Sequence, residues 1–253
     1  MQLNKTNEKA RAMAGQIAEV AALLWQKGWA EATSGNISVN VSDCYPGLKM
    51  DFRSYPMISL ETRYTALSHN YIFITARGSR MRNFGTDPGS GLCLIKVNKK
   101  GDAYQVLFEE PENPLVPSTE ILTHLAIHDK MVKAGNGNTS IVHAHVQELV
   151  VLTHDPKLRN AKTLNKLLMG MHTEIAYFFP EGIGYVPLVT PGSADLAKAT
   201  FKSLKDHTLV VWEKHGCIAI GKSVHEAFDR IDVLAKAAGI YISCKAAAIS
   251  VEV

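Results

Sequence analysis

The chain has 253 residues, of which 46% are hydrophobic and 20% charged, and its formal net charge is +3. This balance argues against a disordered chain, and the small, dispersed charge argues against nucleic acid or an anionic membrane as a partner. The four cysteines are scattered without a CxxC pair, which favours free thiols in a reducing cytosol. Because the polar N-terminal segment lacks a secretory signal and no apolar run reaches the length of a membrane span, we expect a cytoplasmic protein.

The first half of the chain reads as a helix, a group of strands and a second helix. Apolar residues recur with helical spacing from Lys9 to Lys27, which predicts an amphipathic helix that ends near Gly28. Apolar and β-branched runs predict strands over residues 57–60, 71–75, 92–97 and 103–108. The segment PLVPSTE, residues 114–120, opens a second helix that runs to about Val132.

The second half continues the same alternation. It predicts a strand over residues 141–145, a helix from Gln147, and strands over residues 175–179, 207–212 and 217–221. The last helix begins with a capping box formed by Ser223 and Glu226. Since no repeat or Pro/Gly/Ser-rich linker interrupts the pattern, residues 1–253 are expected to form one α/β domain, a sheet flanked by helices.

The segment IVHAHV places two histidines one residue apart on an apolar strand. Residues i and i+2 of a strand point to the same side, so His143 and His145 are expected to converge. A lone buried histidine is usually a satisfied core residue, but two on one face need a metal, an acid or solvent for their ring nitrogens.

A third imidazole, His215, follows the apolar strand Leu209–Trp212 and precedes Gly216, where the backbone is expected to turn sharply. Three histidine ligands at strand ends would leave the fourth coordination position of a bound metal open to water or substrate, as in catalytic sites. The competing pair is His124 and His128, spaced i, i+4 on the second helix but without the glutamate of an HExxH motif. Imidazole ligands by themselves suit zinc, cobalt, nickel or copper.

Two carboxylates are candidates for acid/base work. Glu120 stands at the start of the second helix, where it either stabilises the helix dipole or transfers a proton beside the metal. Glu174 enters the segment read as an apolar strand, where burial is expected to raise the pKa of its carboxyl toward a range useful for proton transfer.

Two turns are candidates for binding phosphate. The first is SGNIS, residues 34–38, and the second is TARGSRMRN, residues 75–83, which adds three arginines. Together they offer backbone N–H groups, small polar side chains and cationic groups. No nucleotide-binding glycine loop is present, which disfavours a nucleotide.

The order of these motifs resembles the class II aldolase and adducin-like family over nearly the whole chain. The motifs that carry the resemblance are SGNIS, TARGS, PSTE, HAH, TE, FPEGIG at residues 179–184, and KHG. The resemblance implies a single-domain fold with a mostly antiparallel central sheet, flanked by helices.

The resemblance also implies roles for individual residues. It implies Zn²⁺ held by His143, His145 and His215, proton transfer by Glu120, and Glu174 reaching a site from a neighbouring subunit. It further implies a homotetramer of cyclic symmetry with sites at subunit interfaces. The phosphate-binding residues that it implies are Gly35, Asn36, Ser38, Thr75, Arg77, Gly78 and Ser79.

The reaction implied is zinc-dependent cleavage of a small sugar phosphate. The elements His172–Glu174 and Phe178–Gly184 favour L-rhamnulose 1-phosphate, which would give dihydroxyacetone phosphate and L-lactaldehyde. The alternatives are cleavage of L-fuculose 1-phosphate, 4-epimerisation of L-ribulose 5-phosphate, dehydration of a ketose 1-phosphate, and a noncatalytic adducin-like binding module.

Overall fold

One mostly antiparallel sheet organises the chain, as the resemblance predicts. The computed structural model describes residues 7–48, 50–85, 88–107 and 115–251. Within these ranges nine strands form one sheet in the order β2-β5-β4-β3-β1-β6-β9-β8-β7, and β7 with β8 is the one parallel pair. The strands are β1 Asn36–Asn40, β2 Met57–Ser59, β3 Tyr71–Thr75, β4 Leu92–Val97, β5 Ala103–Leu107, β6 Ser140–Ala144, β7 Gly184–Val186, β8 Leu209–Trp212 and β9 Gly216–Gly221.

Helices cover both faces of this sheet. The α-helices are α1 Glu8–Gln26, α2 Ile121–Ala134, α3 Gln147–Leu152, α4 Ala161–Met171, α5 Glu174–Phe178, α6 Ala194–Ser203 and α7 Val224–Ala246. Short 3-10 segments lie at Ser42–Cys44, Phe52–Ser54, Thr65–Leu67, Met81–Asn83, Pro88–Gly91 and Pro156–Leu158. No helix in the described part of the chain combines the length and the apolar character that crossing a membrane requires.

Alternation along the central strands divides the core into two layers. In β6, Val142 packs with the cluster formed by α1, α3, α4 and α7, whereas Ile141 packs with the cluster that contains α2 and α6 residues. Because side chains alternate along a strand, His143 shares the face of Ile141, which is the side of α2. The imidazole of His143 therefore lies between the sheet and the start of α2.

Most predicted elements are confirmed, with boundary shifts of a few residues. The capping box at α7 is formed by Ser223, whose Oγ accepts from the N–H of Glu226 at 3.1 Å, while the carboxylate of Glu226 accepts from Lys222. Phe108 and Pro114, at the ends of two predicted segments, lie outside the described residues, as do residues 1–6.

The predicted strand over residues 175–179 is wrong, because this segment contains α5. Ile175 and Phe179 are both fully buried, and the N–H of Phe179 donates to the carbonyl of Ile175 at 2.8 Å. Tyr177, which would share their face in a strand, is 81% exposed. The apolar run therefore has helical spacing, and the prediction relied on its composition instead.

Two helices, α4 and α6, were not predicted, although their caps are visible in the sequence. Asn160 caps α4 by accepting from the N–H of Thr163, and Ser193 caps α6 by accepting from the N–H of Leu196. The short strand β7 was also missed. Three residues are too few to show the alternation of apolar and polar side chains that predicts a strand.

Candidate metal centre

Antiparallel pairing gathers the candidate residues at one end of the sheet. The end of β6 lies against the start of β1 and the start of β9, so that Asn36 pairs with His143 and Ala144 pairs with Cys217. The end of β3 reaches the same place, because Ser38 pairs with Ile74. Segments that are far apart in the sequence thus meet at this end of the sheet.

The sharp turn predicted around His215 is confirmed. His215 lies in the β8–β9 hairpin, where Lys214 has a φ of +56° and Gly216 a φ of +143°. A Cβ atom on Gly216 would overlap the carbonyl oxygen of Ala144. Only glycine lets β9 approach β6 this closely, and the close approach brings His215 beside the two histidines of the HAH segment.

The three histidines form a cluster. The ring centroids of His143 and His145 are 5.1 Å apart, and each lies 4.9 Å from that of His215. One ring nitrogen from each residue falls within 4.8 Å of the others. The predicted convergence of these side chains is therefore confirmed, and the cluster can hold a metal ion.

Hydrogen bonds orient two of the three imidazoles for metal binding. Nδ1 of His143 lies 2.8 Å from the carbonyl oxygen of Cys217, and Nδ1 of His145 lies 2.7 Å from Oε1 of Glu31. Because both acceptors require an N–H at Nδ1, the lone pair of each ring resides on Nε2. An acceptor behind each ligating imidazole is the usual support of a metal site. Glu31 was not predicted as part of the site, because no motif marks it.

Burial keeps two of the three imidazoles, those of His143 and His215, in the form that metals bind. It lowers the pKa of His215 to about 3, with a further lowering from the charge of His143 and opposing contributions from carboxylates. Burial, followed by the charge of His145, holds the pKa of His143 well below its usual range. Both rings are therefore neutral at pH 7, and a neutral imidazole offers a lone pair to a metal.

Glu120 points into the cluster. It occupies the N-cap position of α2, yet its side chain makes no capping hydrogen bond and is 5% exposed. Its Oε2 lies 3.6 Å from Nε2 of His143, and its Oε1 lies 3.5 Å from Nε2 of His215. A carboxylate in this position can exchange a proton with a ligand bound at the cluster, and this geometry favours that role over stabilising the helix dipole.

The alternative metal pair lies on α2 and is not part of the three-histidine cluster. Both His124 and His128 are fully buried, and both direct a ring nitrogen at the hydroxyl of Ser38, at 2.6 and 2.8 Å. The hydroxyl of Ser38 is thus occupied within the protein. This contact removes Ser38 from the surface that a phosphate can reach.

The two predicted phosphate turns adjoin each other. The hydroxyl of Thr75 accepts from the N–H of Ile37 at 3.2 Å, which joins the end of β3 to the start of β1. Arg77 and Gly78 are exposed and Ser79 is partly exposed. Six of the residues predicted to bind phosphate lie at this end of the sheet: Gly35, Asn36, Thr75, Arg77, Gly78 and Ser79.

The predicted burial of Glu174 is wrong, because its side chain is exposed at the first position of α5. Among the described residues its carboxylate forms no hydrogen bond or ion pair. The error follows from reading residues 175–179 as a strand. An exposed carboxylate is available to a neighbouring molecule, which leaves its inferred role across an interface as a prediction.

Comparison with known proteins identifies the class to which this fold and site belong. The family described as the class II aldolase and adducin N-terminal domain matches residues 15–242. The chain belongs to the class II aldolase and adducin family. Its 34% identity with rhamnulose-1-phosphate aldolase of Bacteroides thetaiotaomicron extends over 91% of this chain and 85% of that protein. It is 32% identical with rhamnulose-1-phosphate aldolase of Mannheimia succiniciproducens, over 87% of this chain and 81% of that protein.

Solved structures support the same fold. A sugar-phosphate aldolase from Thermotoga maritima superposes with a TM-score of 0.80 and 33% identity, over 95% of this chain and 97% of that chain. An L-fuculose-1-phosphate aldolase from Thermus thermophilus superposes with a TM-score of 0.56 at 18% identity, over 93% of this chain and 94% of that chain, and at this distance it supports the fold alone.

Proposed function

We propose that the protein is a zinc-dependent aldolase that cleaves L-rhamnulose 1-phosphate reversibly to dihydroxyacetone phosphate and L-lactaldehyde, in the breakdown of L-rhamnose. The observation that carries the reaction class is the carboxylate of Glu120 set 3.5 to 3.6 Å from two histidines of the metal-binding cluster. The substrate is inferred from the two rhamnulose-1-phosphate aldolases that resemble nine-tenths of the chain.

The donor set fits Zn²⁺. His143, His145 and His215 would hold the ion, and three imidazoles are the ligand number at which zinc keeps a position open for substrate. Bound Zn²⁺ would supply Lewis acidity at the ketone and its neighbouring hydroxyl. The acceptors behind two of these rings, Glu31 and the carbonyl of Cys217, would keep the Nε2 lone pairs directed inward.

Glu120 would protonate carbon C3 of the substrate. In cleavage, Glu174 at the aldehyde end would take the proton of the C4 hydroxyl, while the C3–C4 bond breaks and leaves its electron pair in the enediolate of dihydroxyacetone phosphate. Glu120 would then deliver a proton to C3, which completes the product. Because the side chain is 5% exposed, bulk water competes little for this transfer.

The phosphate would be bound by the two turns at the end of the sheet. Gly78 would offer its backbone N–H group, and Arg77 a charged partner that is exposed. The N–H of Ser79 donates to the carbonyl of Ala76, so Ser79 would offer its partly exposed hydroxyl, which would turn from the carbonyl of Gly91 to the anion. The amide of Asn36 retains one N–H beyond the one that it donates to Glu120, and it would direct that donor at the substrate.

Glu174 would act at the aldehyde end of the substrate from a neighbouring subunit. Its exposure, together with that of Tyr177 on the same helix, supports a position on a subunit contact. We propose a homotetramer of cyclic symmetry with its sites at the interfaces. Four cysteines without a disulfide support a cytoplasmic location.

The first test measures release of dihydroxyacetone phosphate from L-rhamnulose 1-phosphate by zinc-loaded protein. We expect metal-dependent cleavage that chelation abolishes, that His143→Ala removes and that His154→Ala, at an exposed histidine outside the cluster, leaves intact. Glu120→Gln should bind zinc normally and lose at least about 100-fold in kcat. An unchanged rate in Glu120→Gln would refute the role assigned to this carboxylate.

Parallel assays separate the alternatives. L-fuculose 1-phosphate tests the related aldolase, and L-ribulose 5-phosphate tests the epimerase. Zinc binding without cleavage of either ketose 1-phosphate would contradict the aldolase and move the assignment to epimerisation or dehydration. Failure to bind any metal would favour the noncatalytic module, which has no need of three convergent imidazoles.

A further inference from the structure

A row of five buried polar side chains runs inward from Glu120, and the reaction described above uses only its first members. The row, called here the polar relay, consists of Glu120, Asn36, His124, Ser38 and His128, none of which is more than 6% exposed. Buried polar groups are costly unless they are paired. In this row, between the sheet and α2, each side chain is hydrogen-bonded to the next.

The carboxylate sets the direction of the first two hydrogen bonds. An oxygen of Glu120 accepts, so the atom of Asn36 that lies 3.0 Å away is the amide nitrogen, Nδ2. The oxygen of the same amide then faces Nε2 of His124 and must accept from it. His124 is consequently protonated at Nε2.

The remaining two bonds follow from the same rule. Burial lowers the pKa of His124 to about 4, with an opposing contribution from Glu120, and burial holds the pKa of His128 well below its usual range. Each neutral ring has one donor and one acceptor. Nδ1 of His124 therefore accepts from the hydroxyl of Ser38 at 2.6 Å, and that hydroxyl accepts from Nε2 of His128 at 2.8 Å.

Every donor in the relay thus points toward Glu120. The series ends at Nδ1 of His128, which is buried and has no partner among the described residues. Hydrogen bonds aligned in one direction polarise one another, so each link strengthens the next. Reversal of the Asn36 amide would set its oxygen against the carboxylate and its nitrogen against the N–H of His124, which is unfavourable at both ends.

We propose that Ser38, His124 and His128 are positioning residues that hold the amide of Asn36 in the one orientation that donates to Glu120. The inference rests on the proposed function, in which Glu120 transfers the proton to C3. By keeping that carboxylate fixed beside the histidine cluster, the relay maintains the geometry that proton transfer needs.

The first experiment measures the ring tautomers directly and does not depend on catalysis. Full-length protein labelled with ¹⁵N-histidine is purified with Zn²⁺ and examined by NMR at pH 7, with signals assigned through His124→Gln and His128→Gln. We expect both rings to be neutral and protonated at Nε2 alone. A ring protonated at Nδ1, or at both nitrogens, would overturn the relay even in a fully active enzyme.

The second experiment breaks the middle link. Ser38→Ala is compared with Ser140→Ala, which removes another fully buried strand hydroxyl on the adjacent strand, outside the relay. In Ser38→Ala we expect kcat to fall about 10- to 100-fold, with KM and zinc affinity within about twofold, and the His124 signal to shift toward a tautomer mixture. Ser38→Thr keeps the hydroxyl and should recover most of kcat.

The outcomes separate this inference from the proposed function. An equal loss in Ser38→Ala and Ser140→Ala, or an unchanged kcat in Ser38→Ala, would overturn the positioning role. If the wild-type protein cleaves no ketose phosphate, the proposed function fails, while the tautomers still decide whether the relay has the direction inferred here.

Discussion

Nδ1 of His145 lies 2.7 Å from Oε1 of Glu31, and this contact joins the loop before β1 to the end of β6. The two residues are separated by 114 positions in the sequence. Burial raises the pKa of the Glu31 carboxyl, but the hydrogen bond from His145 and the other bonds around it outweigh that effect and lower the pKa overall. The carboxylate is therefore ionised at pH 7 and accepts from the ring, so the lone pair of His145 faces the other two histidines.

Removal of this carboxylate should weaken metal binding. We expect Glu31→Ala to lower the zinc affinity about 10- to 100-fold, because His145 loses the acceptor that fixes its ring. A competition titration against a chromophoric chelator measures the change. Glu19→Ala is the matched control, because Glu19 also pairs with a histidine, His225 at 3.3 Å, away from the cluster. Equal zinc affinities in the two variants would contradict this prediction.

A methyl group on Gly216 should be more damaging than one on another glycine with positive φ. Gly216→Ala sets a Cβ atom against the carbonyl oxygen of Ala144, whereas Gly135, at a φ of +61°, has nothing within 4 Å of that position. We expect the free energy of unfolding to fall by at least about 2 kcal/mol in Gly216→Ala and by about 1 kcal/mol in Gly135→Ala. Urea denaturation of the metal-free proteins compares them, and similar losses would show that β6 and β9 can separate at little cost.

Stability of the metal-free protein should decrease in mild acid. The pKa of His124 is about 4 in the folded state, against about 6.5 in an unfolded chain. Below pH 6.5 the unfolded chain therefore binds a proton that the folded chain does not, so stability is lost as the pH falls toward 4. This histidine should contribute a loss of about 2 kcal/mol between pH 7 and pH 5.

Urea denaturation at the two pH values measures that loss. His124→Gln cannot titrate in this range, so its stability should fall less between pH 7 and pH 5 than that of the wild type. His154→Ala, which removes an exposed histidine, should keep the wild-type dependence. An identical loss in His124→Gln and the wild type would place the acid sensitivity elsewhere in the protein.

Arg77 should affect substrate binding more than turnover. If its guanidinium pairs with the phosphate in the ground state and the transition state alike, Arg77→Ala raises KM about 10-fold with kcat nearly unchanged. Steady-state kinetics with L-rhamnulose 1-phosphate supply both constants. Arg53→Ala, at an exposed arginine that pairs with Asp51, is the control and should leave both unchanged. A large fall in kcat with constant KM would assign Arg77 to the transition state instead.

Glu174 should complement an inactive neighbour if it acts across an interface. Glu174→Ala and His143→Ala are each expected to be inactive, but in co-expressed mixed oligomers some sites pair an intact cluster with an intact glutamate from the next subunit. Random assembly predicts about a quarter of the wild-type activity. If Glu174 acted within its own chain, no site would be complete and the mixture would stay inactive.

Local patterns in the sequence were sufficient for much of the fold. Helix α1 and strands β3, β4 and β9 follow from apolar spacing, since such segments bury a face whatever surrounds them. The pairing of His143 with His145, and the turn at Gly216 that carries His215, also follow from the residues themselves. The segment at 175–179 shows the limit, because five mostly apolar residues do not distinguish a strand from a short helix.

The order of short motifs predicted the family by resemblance, and residue type with short spacing predicted the histidine cluster and the place of Glu120 at a helix start. Three-dimensional packing was needed to establish which acceptor lies behind each ring, that Ser38 faces inward to His124 and His128, and that Glu174 is exposed. Those features depend on the register between strands and on how α2 packs against the sheet. Contacts such as Glu31 with His145 join distant segments, and no local pattern encodes them.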